Sequence, residues 1–163
     1  MTNLLFLLYG AIALVSITPT FSTTIKLASG SDFMKNVSFP IKPILQQTAE
    51  CEVAQYARKA GFSESAIPVM VCISKYESTF SCNANNKNND GSTDYGLFQI
   101  NSYYWCSGDP ASRFDECHAS CASLYDCQRN ANCAYTVWRQ QGFTAWYGYQ
   151  YHKSECDNYK INC

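Results

Sequence analysis

Residues 4–17 form an unbroken apolar to weakly polar run of fourteen, closed by Thr18-Pro19-Thr20. A helix that crosses a bilayer needs about 20 such residues. The run therefore reads as the apolar centre of a signal peptide, residues 1–22, with its exit near Thr20-Phe21-Ser22. Residues 23–48 show no sustained period; they are rich in Ser and Thr, with Pro40 and Pro43 in a Lys-containing stretch, which predicts a flexible extension or a pro-segment. At Thr48 the pattern turns helical. Thr48 is placed to cap, Glu50 falls in the first turn, Cys51, Ala54, Ala57 and Arg58 recur at three- and four-residue spacing, and Gly61 stops the helix. A second helix is predicted from about Ser65, with Pro68 in its first turn. Ile67, Met70, Val71, Ser74 and Tyr76 give it a near-helical period, its apolar content predicts burial, and it ends shortly after Glu77.

The next stretch changes character. Residues 83–93 hold five Asn, one Asp and the pair Asp90-Gly91, all tolerant of left-handed backbone. A strand over Ser92–Ile100 follows, so 83–101 reads as a small hairpin or meander. Residues 106–133 carry five Cys among Ser, Asp and Gly, which predicts an irregular, stapled region. A third helix is predicted over Asn132–Gln141, ended by Gly142. A fourth is predicted over Thr144–Glu155, weakened by Gly148 in its interior. The sum is an α+β domain over residues 49–163, a mainly helical lobe with a small antiparallel β-sheet lobe.

Composition adds the compartment. All ten Cys lie at or after Cys51, and behind a signal peptide that density means a disulfide scaffold in a secreted protein. Asn36-Val37-Ser38 is a glycosylation sequon in that context. A net charge of −1 offers no basic footprint for nucleic acid, and no stretch is long enough for a stable membrane anchor. His118 and His152 are the only histidines; His118 sits within Cys117-x-x-x-Cys121, but in an oxidising compartment those Cys are expected to pair. No metal and no cofactor are expected.

Two acids stand out. Glu77 lies near the C-terminus of an apolar helix between Tyr76 and Phe80. The helix dipole and apolar neighbours both disfavour its charge, as a general acid requires. An exposed Glu in that position is the ordinary alternative. Asp94 sits among Ser92, Thr93 and Asn residues, whose hydrogen bonds keep a carboxylate ionised; a turn Asp beside a strand has the same signature. Together, one apolar and one polar environment make the pattern of a glycosidase pair. The aromatics Tyr103, Tyr104, Trp105, Trp146, Tyr147, Tyr149 and Tyr151 could stack on sugar rings or build the core.

Cys72-Ile-Ser-Lys-Tyr-Glu77-Ser, then Asp90-Gly-Ser-Thr-Asp94-Tyr-Gly-Leu-Phe-Gln-Ile-Asn101-Ser, then Tyr104-Trp105-Cys106 together resemble a c-type lysozyme over about residues 49–163. That family is itself the type case for paired glycosidase carboxylates. The resemblance implies Glu77 as general acid and then base, and Asp94 as nucleophile or electrostatic stabiliser. It implies retaining hydrolysis of the β-1,4 bond between N-acetylmuramic acid and N-acetylglucosamine in bacterial peptidoglycan. It places Trp146 near Glu77, and Asn86, Asn88 and Ser92 where they orient Asp94 and the sugar. Gln99 and Asn101 would line the cleft floor, with Asn101 and Ala145 offering backbone groups to an N-acetyl group. Tyr104 and Trp105 would form the aromatic wall, Tyr standing where Trp is common. It implies four bridges, Cys51–Cys163, Cys72–Cys156, Cys106–Cys121 and Cys117–Cys133, and leaves Cys82 and Cys127 for a fifth.

The sequence also departs from the family. The segment from Cys133 to Trp146 is one residue shorter than the vertebrate pattern, and no acid stands near Gln140-Gln141 for the upper cleft. A non-catalytic, lactalbumin-like binding protein is the alternative, but such branches generally lose an acid and here both stand. Only Asp126 follows Cys121 in place of an acidic calcium loop. A monomer in the extracellular space, gut lumen or a phagosomal or lysosomal compartment is expected. Residues 50–163 carry nine bases against twelve acids, whereas defence members of the family are usually basic. That balance predicts a digestive or phagosomal role with an acidic optimum.

Overall fold

The computed structural model describes residues 41–163, with side chains from Gln46 onward. The signal segment and the Asn36 sequon lie outside the described residues. The first helix, α1, spans Ile41–Ala60 and so begins seven residues before Thr48. Pro43 falls in its first turn, where the missing N–H costs no intrahelical bond. Glu50 is accordingly no first-turn acid; it is buried and accepts hydrogen bonds from Gln46 Nε2 (3.1 Å) and the Tyr159 hydroxyl (2.8 Å). The second helix, α2, spans Ile67–Ser78 with Pro68 in its first turn. It stops because Thr79 turns left-handed (φ +53°) and its N–H folds back to the Lys75 carbonyl. Eight of its residues are buried, among them Ile67, Met70, Val71 and Ile73.

Three short strands follow, β1 (Asn85–Lys87), β2 (Thr93–Tyr95) and β3 (Ile100–Asn101), in one antiparallel sheet of order β1-β2-β3. The register sets Asp94 opposite Asn86 on one side and Asn101 on the other. The expected continuous strand over Ser92–Ile100 is broken at residues 96–99. The side chain of fully buried Asn130 captures the backbone there. Its Oδ1 accepts from Phe98 N (2.8 Å), and its Nδ2 donates to the carbonyls of Tyr95 (2.8 Å) and Leu124 (2.9 Å). Gly96 is required at the bend: at φ +73°, a Cβ would lie 2.3 Å from the Leu124 oxygen and 2.4 Å from Asn130 Nδ2.

A single helical turn, α3 (Ser102–Trp105), is capped by Asn101, whose Oδ1 accepts from Tyr103 N. Irregular chain leads through a 3₁₀ turn at Cys121–Tyr125 to α4, Cys127–Gln141. This helix starts five residues ahead of Asn132 because Asp126 caps it, accepting from Arg129 N at 2.8 Å. The expected helix over Thr144–Glu155 divides into a 3₁₀ turn, Phe143–Ala145, and α5, Tyr147–Asp157. Trp146 between them is extended (φ −107°, ψ +129°), which turns its indole inward to donate from Nε1 to the Phe98 carbonyl at 2.9 Å.

The core gathers Val53, Ile67, Met70, Ile73, Leu97, Phe98, Ile100 and Leu124. Packing joins α1 to α4 and α2, and α2 to α5. The disulfides are Cys51–Cys163, Cys72–Cys156, Cys82–Cys127, Cys106–Cys121 and Cys117–Cys133. Cys72–Cys156 fastens α2 to α5, and Cys82–Cys127 fastens the segment after α2 to the first residue of α4.

Candidate active site

A cleft of about 480 Å³ opens between the C-terminal end of α2, the sheet and the Ala145–Tyr147 segment. Glu77 projects into it from the last turn of α2. Its Oε1 accepts the Gly148 N–H at 2.7 Å. The approach is close: a Cβ on residue 148 would stand 3.0 Å from both Glu77 Oε1 and Tyr76 Cβ, so its neighbours would have to give by a few tenths of an ångström. The glycine that weakens α5 as an isolated helix thus also gives α5 its close approach to the carboxyl. Burial pushes the Glu77 carboxyl above its ordinary range; the Gly148 N–H pulls it partly back, and the charge of Asp94 pushes it up again. Buried Trp146 also lines this wall, its ring edge-on to Phe98.

Asp94 faces the same cleft from β2. Two side-chain amides hold its two oxygens: Asn101 Nδ2 donates to Oδ1 at 2.8 Å and Asn88 Nδ2 to Oδ2 at 3.0 Å. Both amides also donate to the hydroxyl oxygen of fully buried Ser92 (2.9 and 3.1 Å). That hydroxyl in turn donates to Asp90 Oδ1 at 2.7 Å, which also accepts Ser92 N–H at 2.9 Å. These bonds from Ser92 hold the Asp90 carboxyl below its usual range. Each Asn thus presents an N–H to one Asp94 oxygen, so both oxygens of the carboxyl are held in place from the sheet side.

Of the residues singled out in the sequence, Glu77, Asn88, Asp94, Gln99, Asn101, Ala145 and Trp146 line the one cleft. Gln99 does so in a left-handed conformation (φ +46°), its amide donating to the Gly96 carbonyl at 2.8 Å. Ser92 lies beneath it. Asn86 stands across the sheet from Asp94, but its amide donates to Asn88 Oδ1 at 3.0 Å and it does not line the cleft. Tyr104 and Trp105 line a separate groove with Phe114, Glu116, Gln140 and Gln141. His118 flanks Cys117 and Ala119, with Cys117 bridged to Cys133 and Cys121 to Cys106. Tyr147, named among the aromatics, also lines the cleft, whereas Asn130 and the contact made by Gly148 escape the sequence reading. Asn130 carries no local signal, because its partners are up to 35 residues away. Gly148 was visible only as a helix weakener.

The chain matches a model of the C-type lysozyme/alpha-lactalbumin family over residues 46–163. It is 39% identical over 114 residues to lysozyme c-1 of Anopheles gambiae, covering 69% of this chain and 78% of that protein. It is 39% identical over 104 residues to a lysozyme of Bombyx mori (63% of this chain, 75% of that protein). It is 38% identical over 109 residues to lysozyme C-3 of Ovis aries (63% and 74%).

Proposed function

The chain belongs to the C-type lysozyme/alpha-lactalbumin family, and from the site it carries we propose that it is a secreted muramidase that cleaves bacterial peptidoglycan. The bond cut is the β-1,4 link from N-acetylmuramic acid to N-acetylglucosamine. The observation that carries the reading is the pair of carboxyls in one cleft. One is driven up by burial against α5, and the other is held by two amides on the sheet. Glu77, protonated, gives its proton to the glycosidic oxygen as the C–O bond breaks. Asp94, ionised, meets the positive charge that develops at the anomeric carbon and forms the glycosyl-enzyme bond. Water then attacks the same carbon, Glu77 takes its proton, and Asp94 departs with the configuration retained. Gln99, Asn101 and Ala145 lie where they can position an N-acetyl group, with Ser92 fixing Asn88 and Asn101 behind them.

The remaining parts of the reading follow from the chain's organisation. Residues 1–22 direct secretion and 23–48 precede a catalytic domain at 49–163, which works as a monomer. The excess of acids over bases in that domain removes electrostatic attraction to anionic walls at neutral pH, which supports a digestive or phagosomal setting and an acidic optimum. A lactalbumin-like binding role is disfavoured because both carboxyls are present. Replacing Glu77 by Gln keeps the shape and removes the proton. Clearing of a peptidoglycan suspension should fall about a thousandfold; equal clearing by both proteins rejects the mechanism.

A further inference from the structure

Three tyrosines recur at every second position of α5, and the fold uses only the middle one. Tyr149 is buried, its hydroxyl donates to Asp157 Oδ1 at 2.8 Å, and its ring packs on Phe143. Tyr147 and Tyr151, at i and i+4 on the opposite face, are 68% and 79% exposed, and their rings are near-parallel neighbours with centroids 6.0 Å apart and planes 21° from parallel. Their hydroxyls have no partner among the described residues. Two large rings left to solvent side by side form a contiguous apolar surface, the kind of feature at which a ligand can bind. The pair is also continuous with the cleft, because Tyr147 lines it beside Trp146.

We propose that Tyr147 and Tyr151 form an aromatic platform on which the polysaccharide strand continues along α5 after leaving the cleft. This rests on the muramidase reading and names a further part of its substrate contact. The chemistry suits a sugar. A pyranose presents a face of C–H groups that lies flat on an aromatic ring, while its rim of hydroxyls meets the two free phenol groups. Two near-parallel rings side by side also tolerate variation along the strand, as a surface for a repeating polymer must. The platform therefore sets a preference for long strands over short ones.

Binding of soluble glycan strands of two and of six disaccharide units, measured by calorimetry on the Glu77→Gln protein, tests it. With Tyr151→Ala added, affinity for the long strand should drop about fivefold relative to the short one. Tyr151→Phe, which keeps the ring, should restore most of the difference. An unchanged long-to-short ratio in Tyr151→Ala overturns the platform, as does a self-association, seen by sedimentation, that Tyr151→Ala abolishes. The muramidase reading fails separately, if wild-type protein binds strands with the length preference but does not hydrolyse them. No binding of any strand overturns both.

Discussion

On the α2 side of the cleft, a carboxyl has one hydrogen-bond donor, the Gly148 N–H, and lies against the buried edge of α5. On the sheet side, a carboxyl has two side-chain amides, themselves tied to Ser92 and through it to Asp90. The same functional group thus sits in two contrasting environments. Desolvation favours the neutral acid at Glu77, whereas Asp94 is fixed in place by the N–H groups donated to its two oxygens. The two walls also differ in how they can fail. The helical wall depends on a close approach between two backbones, so added volume should hurt it. The sheet wall depends on several weak bonds converging on one carboxylate, so losing one should leave it working.

The largest effect should come from a residue that supports both walls. Asn130 bonds the turn that carries Phe98 and Gln99, and Phe98 in turn receives the Trp146 indole N–H. Asn130→Ala strands one N–H and two carbonyls in buried surroundings, which should cost about 4 kcal/mol of stability. Urea unfolding measures this, and a cost below about 1 kcal/mol would show that the turn holds itself. Breaking the helical wall alone comes next. Gly148→Ala puts a methyl 3.0 Å from Glu77 Oε1 and should lower the lysis rate about tenfold by shifting the carboxyl a few tenths of an ångström. Ala is also the better helix former by roughly 1 kcal/mol, so the melting temperature should barely move. Unaltered lysis by a folded Gly148→Ala protein would mean that the close approach is not needed.

These cases show where the chain was readable. The apolar run of α2, its early Pro68 and its stop beyond Glu77 are local signals, and so are the Asn- and Gly-rich turns that frame Asp94. The bend at Gly96 is not local. Residues 92–100 have the composition of one strand, and only the distant Asn130 side chain divides them. The start of α1 was hidden for a different reason. Thr48 has cap chemistry, but the helix already runs there from Ile41. Likewise Trp146 breaks a helical pattern because burying its indole and bonding Phe98 outweigh a few residues of helix propensity. The site's two acids were legible as candidates from their neighbours in sequence, and the roles expected of them came from the resemblance to c-type lysozymes. The contacts that tune them, Gly148 above all, join segments 71 residues apart.

The sheet wall is tested by Asn88→Ala, which removes the amide on Asp94 Oδ2 but leaves Asn101 on Oδ1. Lysis should fall about fivefold, with binding of substrate little changed. A loss as large as that of Gly148→Ala would erase the contrast drawn between the walls. Asn101 is the less clean probe, because its Oδ1 also caps α3.

The smallest expected effect concerns stability and carries the sharpest sign. A carboxyl whose folded value is raised above its unfolded value of about 4.3 favours the folded state only while protonated. Glu77 therefore costs nothing below about pH 4, and its contribution is lost as pH rises through the raised folded value. Glu77→Gln keeps a neutral group of the same size throughout. At pH 3.5 wild type and variant should melt together, and at pH 7 the inactive variant should melt about 2–4 °C higher. Scanning calorimetry at the two pH values decides it. A gap that is the same at both would mean that the Glu77 charge is not penalised, and that the helical wall does not prepare an acid in the way its burial implies. A gap that opens with pH, in a variant that no longer clears peptidoglycan, would tie the lost activity and the gained stability to one desolvated proton site.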